Sequence, residues 1–293
     1  MSKAVRTRQQ NARARIAAER AAARRAQVRN RVLLTGGSIL VVIAIVATFV
    51  VIKAGRGTPS AAPGSPAGNV LPASVSRQVT SVPASTLNAV GGGSVTSYNP
   101  APLKAVSGAP LTRSGKPEML YIGAEFCPYC AELRWSMAVA LSKFGAFTSP
   151  LRGIHSSSTD VDPSTASLTF YQAGYSSKYL AFTPVENEKV DRSPLQATTP
   201  QQQAIWDKYD ANSYPFIDFG NKHIVTAPLY DPQVLQGKTW AQIAAALHDP
   251  SSPIAQGALG AANYMTAAIC KMTGNQPASA CAAPAIRALQ AKL

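Results

Sequence analysis

The chain has 293 residues, 46% of them hydrophobic and 14% charged, with a formal net charge of +14 at neutral pH. This length and apolar content suit one sizeable domain plus appendages and exclude a chain of several large domains. The charge does not describe that domain, because residues 1–31 hold ten Lys and Arg against the single acid Glu19, so most of the excess is a tail.

The tail is rich in Arg and Ala and has no aromatic side chain on which a base could stack, so no nucleic-acid partner is read from it. Residues 32–52 follow without a charge. At about 1.5 Å per residue they reach ~31 Å, enough for a bilayer core. Lys53 and Arg56 close the run. Positive charge beside a short span stays on the cytoplasmic side, so residues 1–31 read as a cytoplasmic tail that also touches anionic lipid, and the bulk of the chain as extracytoplasmic. The apolar run exceeds the core of a signal peptide and no A-x-A-like site follows, so it reads as an uncleaved signal anchor in the cell membrane. Residues 53–77, rich in Gly, Pro, Ser and Ala at their start, read as a flexible linker, with the domain over 78–293.

Within that domain, residues 83–90 suit a short helix broken by Gly91–Gly92–Gly93, and residues 103–111 an extended stretch able to add an edge strand. Residues 118–123 read as a short buried strand. After Cys127-Pro128-Tyr129-Cys130, helical spacing puts Leu133, Met137, Ala140, Leu141 and Phe144 on one face, leaving Glu132 and Arg134 for the solvated one. Residues 151–190 read as an insertion with β-like runs at 167–171 and 179–183. Residues 200–211 suit a helix capped by Thr199, and residues 213–225 read as proline, strand, tight turn, strand. Trp240, Ile243, Ala244 and Leu247 predict another helix. A longer one carries Ile254, Ala258, Ala262, Met265, Ile269 and Met272 to Gly274, and Pro284 opens a last one. Trp135, Trp206 and Trp240 read as core or core-edge residues.

The chemistry is concentrated in Cys127 and Cys130. Two thiols spaced C-x-x-C, the first at a helix N-terminus, can close and reopen a disulfide, because unpaired N–H groups and the helix dipole stabilise the attacking thiolate. A static disulfide and half of a metal site are the other readings. A four-cysteine zinc site would need Cys270 and Cys281, whose ten-residue gap departs from the usual knuckle spacing, so no metal site is assigned. Cys270 and Cys281 themselves flank a short loop. They read as a structural disulfide, in the chain-entropy model a gain of roughly 3 kcal/mol, or as a second redox pair. His155, His223 and His248 do not cluster; His223 is expected in a surface hairpin turn, and the loop from His155 to Ser158 is one able to approach the cysteines. Asp160 and Asp162 form a D-x-D that reads as a turn. Neither a serine–histidine–acid set nor a phosphate-binding glycine loop is visible.

Ala124-Glu125-Phe126-Cys127-Pro128-Tyr129-Cys130 resembles the active-site stretch of the thioredoxin superfamily, and Tyr214-Pro215 falls where that superfamily has its cis-proline. The wording YIGAEFCPYCAELRW, HSSSTDVDP, SYPFIDFGN and AAICKMTGNQPASAC is similar to a membrane-anchored prokaryotic family catalogued as domain of unknown function 929. The resemblance implies an α/β fold: a thioredoxin-like mixed sheet flanked by helices, with an insertion before the cis-Pro strand, a C-terminal helical extension and one preceding transmembrane helix. It also implies Cys127 and Cys130 as the catalytic pair and Tyr214 and Pro215 as the platform for an extended substrate. One position departs: Tyr121 stands where thioredoxins bury an aspartate, which leaves Glu125 or solvent as the base, if one is needed. The expected function is thiol–disulfide exchange on protein substrates, with no cofactor and with a membrane redox partner restoring the pair. A non-catalytic binding module of the cell envelope and a copper-handling protein are the alternatives.

Overall fold

The computed structural model describes residues 68–210 and 212–293. The basic tail, the candidate span at 32–52 and the linker up to residue 67 lie outside them. Among the described residues no helix is long and apolar enough to cross a membrane.

The chain enters with β1 (Asn69–Val70), α1 (Ala73–Thr80), α2 (Ala84–Val90) and α3 (Val95–Tyr98). Next come β2 (Lys104–Ala105), β3 (Thr112–Arg113), β4 (Lys116–Gly123) and α4 (Pro128–Leu141). The middle holds β5 (Gly145–Phe147), β6 (Arg152–His155), β7 (Ala166–Thr169), β8 (Tyr175–Ser177) and β9 (Ala181–Glu186). Then follow α5 (Pro200–Asp210), β10 (Phe216–Phe219), β11 (His223–Val225), α6 (Trp240–Ala246), α7 (Pro253–Met272), α8 (Ala278–Cys281) and α9 (Pro284–Gln290).

The architecture is mixed α/β, organised on β4. β9 runs parallel to it, from Glu118 opposite Ala181 to Gly123 opposite Glu186, and β10 runs antiparallel on its other side, with Phe216 opposite Ile122. β11 and β2 extend the sheet beyond β10, and β3 folds back on the start of β4. Because strand side chains alternate between faces, β4 feeds two cores. Met119 and Tyr121 join Ile217, Phe219 and Val225 in the larger one, beneath α4 and α7. Leu120 and Ile122 join Val185, Phe216 and Trp206 of α5 in the smaller one.

Helix α4 differs from the expected one-faced amphipath. It is buried on every side, Glu132 and Arg134 included, because α7 and β7 cover what the sheet does not. A helix apolar around its whole circumference belongs inside, and its two charges go in with it. The domain also starts earlier than residue 78. β1 pairs with β6, and Leu71, Val75 and Val79 are in the core, so the apolar spacing of α1 outweighs the low complexity of the stretch before it. In the middle of the chain β6 and β7 form a separate antiparallel sheet with β1, beside a small β5-β8 pair. His223 is a strand residue rather than a surface turn residue, 7% exposed, with its Nε2 3.3 Å from the Leu293 carbonyl. The turn lies just before it, at Gly220 and Asn221, both with positive φ, as a tight hairpin requires.

Candidate functional site

β4 ends at Gly123 and the chain turns through Ala124–Phe126 to Cys127, the N-cap of α4, with Pro128 in the first turn. Proline suits that place because its missing N–H would have had no helical partner. The Cys127 Sγ accepts from the Cys130 amide at 3.3 Å, taking the capping role usually held by an oxygen. Cys127 keeps 4% of its surface and Cys130 none, so an incoming group meets Cys127 first. The thiol of Cys127 is held below its ordinary pKa by the Cys130 side-chain hydrogen bond and amide, against burial, with the Arg134 charge adding to the effect. Burial pushes the Cys130 thiol well up, and its hydrogen bond to Cys127 does the same. Of the two sulfurs, negative charge is the more favoured on Cys127 and the proton is the more firmly held on Cys130.

Register brings the second element alongside. Phe216 sits opposite Ile122, which carries the preceding Tyr214-Pro215 to the loop that leads into Cys127. The Tyr214–Pro215 peptide is cis, and Pro215 is buried. The Tyr214 ring meets the edge of Phe126 at 5.9 Å and leans on Trp206 at 5.2 Å. Its hydroxyl bonds Asn187 and, at 3.1 Å, Glu188. Tyr214 and Tyr129 pack on the cluster of Ala124, Phe126, Cys127 and Cys130. Cys270 and Cys281 stand apart from that cluster as a disulfide between the end of α7 and α8.

Sequence reasoning missed the charges beneath the pair. Arg134 is fully buried and forks onto Glu186 of β9, Nε to Oε1 at 2.9 Å and Nη2 to Oε2 at 2.6 Å. Nη2 also donates to the Ala124 carbonyl at 2.7 Å, and Nη1 reaches Ser167 at 3.4 Å. Burial works against this cation, yet Glu186 keeps it charged. Glu132 points elsewhere, accepting from the amides of Leu229 at 2.7 Å and Tyr230 at 3.3 Å. Burial pushes its carboxyl well up. The available signal was two ionisable residues in a helix whose other positions are nearly all apolar. Tyr121 is buried with no partner for its hydroxyl, and Arg134 lies 5.9 Å over its ring.

The loop after β6 reaches the site, through neighbours of His155 rather than His155 itself. The Ser157 amide donates to the Phe126 carbonyl at 2.9 Å, while the His155 ring packs on Trp240 at 4.5 Å. Arg192 lies 3.7 Å over the Phe126 ring and pairs with Asp160 at 2.8 Å, so Asp160 is engaged by a side-chain cation. A cleft of about 590 Å³ opens there, lined by Glu125, Ser157, Thr159, Lys189, Val190 and Arg192. Burial raises the Glu125 carboxyl, which accepts from Thr169 at 2.6 Å. Among the described residues no group of three or more His, Cys, Asp or Glu side chains is placed to hold a metal ion.

Comparison with known families matches residues 102–271 to a family described as a domain of unknown function, DUF929. No curated protein matches the chain. No solved structure matches it either.

Proposed function

We propose, for a chain that belongs to the DUF929 family and takes no activity from that family's description, a thiol–disulfide oxidoreductase acting on protein thiols and disulfides. The observation that carries this reading is the Cys127 sulfur at the start of α4, hydrogen-bonded by Cys130 and packed with the tyrosine of a cis Tyr214–Pro215 peptide. A sheet with β9 and β10 on the two sides of β4, and the dithiol on the helix after β4, supports the finer reading of the fold as thioredoxin-like.

In the oxidised enzyme a substrate thiolate attacks the Cys127 sulfur. The Cys127–Cys130 bond breaks, Cys130 leaves as a thiolate and takes a proton from water, and a mixed disulfide joins Cys127 to the substrate. A second substrate thiolate then attacks the substrate sulfur of that bond and expels Cys127. Two electrons have passed from the substrate dithiol to the enzyme disulfide, which is left as a dithiol. Run backwards, the same steps reduce a substrate disulfide, with Cys127 attacking and Cys130 resolving. The depressed pKa of Cys127 suits it as both attacking and leaving sulfur.

Tyr214 and Pro215 form the substrate platform in this reading. A span at residues 32–52 holds the domain on the outer side of the cell membrane, where a membrane dithiol or disulfide partner resets the pair. The test is a Cys130→Ser trap in intact cells, with mixed-disulfide partners resolved on non-reducing gels and identified by mass spectrometry. Partners linked through Cys127 support the proposal. Recovery of none, under conditions that trap a known oxidoreductase, favours a scaffold without exchange activity.

A further inference from the structure

Arg134 is the fourth residue after Cys130, which stacks them on one face of α4 a single turn apart. Helical side chains lean toward the N-terminus of their helix, so the guanidinium reaches back under the dithiol loop. Its bond to the Ala124 carbonyl, 2.7 Å long, marks how far it reaches. Glu186 holds the other edge of the fork with both carboxylate oxygens, and Oε1 also accepts from the Phe170 amide at 3.0 Å. Neither partner has any exposed side-chain surface, so bulk solvent does not screen the charges.

Other ionisable groups interact with the sulfurs: Tyr121 from β4 and Tyr214 from the segment before β10 with both, and Glu132 of α4, though its carboxyl is turned to the Leu229 and Tyr230 amides, with Cys127. Burial favours the uncharged form of all three. Arg192, over Phe126, is exposed and Glu188, at Tyr214, is half-buried, so Arg134 and Glu186 are the fixed charges buried beneath the pair. The Arg134 charge acts on both cysteines in the thiolate-favouring direction.

We propose that Arg134 is a positioning residue for the exchange reaction: held beneath Cys130 by Glu186, it supplies the positive charge toward which the Cys127 sulfur develops its negative one, and Glu186 sets how much of that charge the sulfur feels. The proposal rests on the oxidoreductase reading above. A purely structural ion pair has no sign to transmit, whereas this one does. Removing the carboxylate charge leaves the cation less compensated and favours the thiolate, and removing both charges disfavours it. A stabilised thiolate stabilises the reduced pair and makes the disulfide a stronger oxidant.

The experiment uses the full-length protein, with Glu186→Gln and the double variant Arg134→Met/Glu186→Gln, which avoids stranding a buried charge. The pH midpoint of Cys127 alkylation by iodoacetamide is followed by mass spectrometry, alongside the equilibrium of the pair with glutathione. Glu186→Gln is expected to lower the midpoint and shift the equilibrium about three- to tenfold toward the reduced pair, and the double variant to do the opposite. Arg134→Lys, which keeps the charge and loses the fork, is expected to stay nearer to wild type than the double variant does. Shifts of both variants in the same direction, or in neither, overturn the proposal. Where the double variant does not fold, the sign of Glu186→Gln decides: a fall supports the proposal, and a rise or no change overturns it. A wild type that never equilibrates with glutathione sinks the oxidoreductase reading, while the alkylation midpoints still report whether the Arg134 charge reaches the sulfur.

Discussion

Gly123 and Tyr121 stand on the same face of β4, and a Cβ added to Gly123 would overlap the phenol oxygen and the ring of Tyr121. The absence of a side chain at Gly123 is what lets the tyrosine lie along the strand toward the dithiol loop. Its ring cannot retreat, because Tyr121 has no exposed surface and its edge already meets Phe170 at 5.9 Å. Gly123→Ala is therefore expected to destabilise the domain by about 1–3 kcal/mol through overpacking. Urea denaturation measures this, and an unchanged midpoint would contradict the packing described.

The Cys270–Cys281 disulfide closes a sequence separation of 11 between α7 and α8. In the chain-entropy model a loop of this size stabilises by roughly 3 kcal/mol. Replacing both cysteines by alanine is expected to lower stability by about 2–4 kcal/mol and to leave exchange at Cys127 intact. Thermal denaturation and a glutathione-exchange assay on the same sample check both halves. Loss of exchange in a folded variant would instead mark this pair as a relay.

Asp218 carries a pH signature. It lies in β10 without exposed surface, its Oδ1 accepting from the Asn221 amide at 2.6 Å and its Oδ2 lacking a partner. Burial pushes its carboxyl up to about 6, against about 3.9 in an unfolded chain. Between those values the folded state binds more protons, so stability falls as pH rises through the window, and the penalty is complete above it. Asp218→Asn is expected to gain on wild type by about 1–3 kcal/mol between pH 4 and pH 7. Denaturation curves at the two pH values test this, and an advantage equal at both would contradict it.

The parts of this fold that were legible were those whose signal is local. The strand before Cys127, the helix started by Pro128, the hairpin after Pro215 and the Thr199 cap with Gln202 returning to the Thr199 amide all follow from neighbouring residues. Arg134 and Glu132 were misread because what satisfies them comes from far along the chain. Glu186 is 52 residues from Arg134, and the amides holding Glu132 belong to Leu229 and Tyr230. A charge on a helix reads as solvated until its partner is known. The early start at Leu71 was hidden for a related reason, since β1 is fixed by its pairing to Gly153 and Arg152 rather than by its own residues.

Arg134→Ala alone tests the burial of that charge. It leaves the Glu186 carboxylate in a dry site without its cation, and removing one partner of a buried pair costs about 3–5 kcal/mol. The variant is expected to lose that much stability in chemical denaturation. A loss below about 1 kcal/mol, the range of exposed pairs, would contradict a fully buried pair.

The central claim, that Cys127 and Cys130 interconvert between dithiol and disulfide, is tested most directly by equilibrating the full-length protein with graded mixtures of reduced and oxidised glutathione. Acid quenching and mass spectrometry then read the state of each cysteine. A single cooperative transition is predicted in which Cys127 and Cys130 gain and lose their mutual bond together while Cys270–Cys281 stays closed throughout. A pair that stays dithiol, or stays bonded, across the whole range of mixtures would contradict the account.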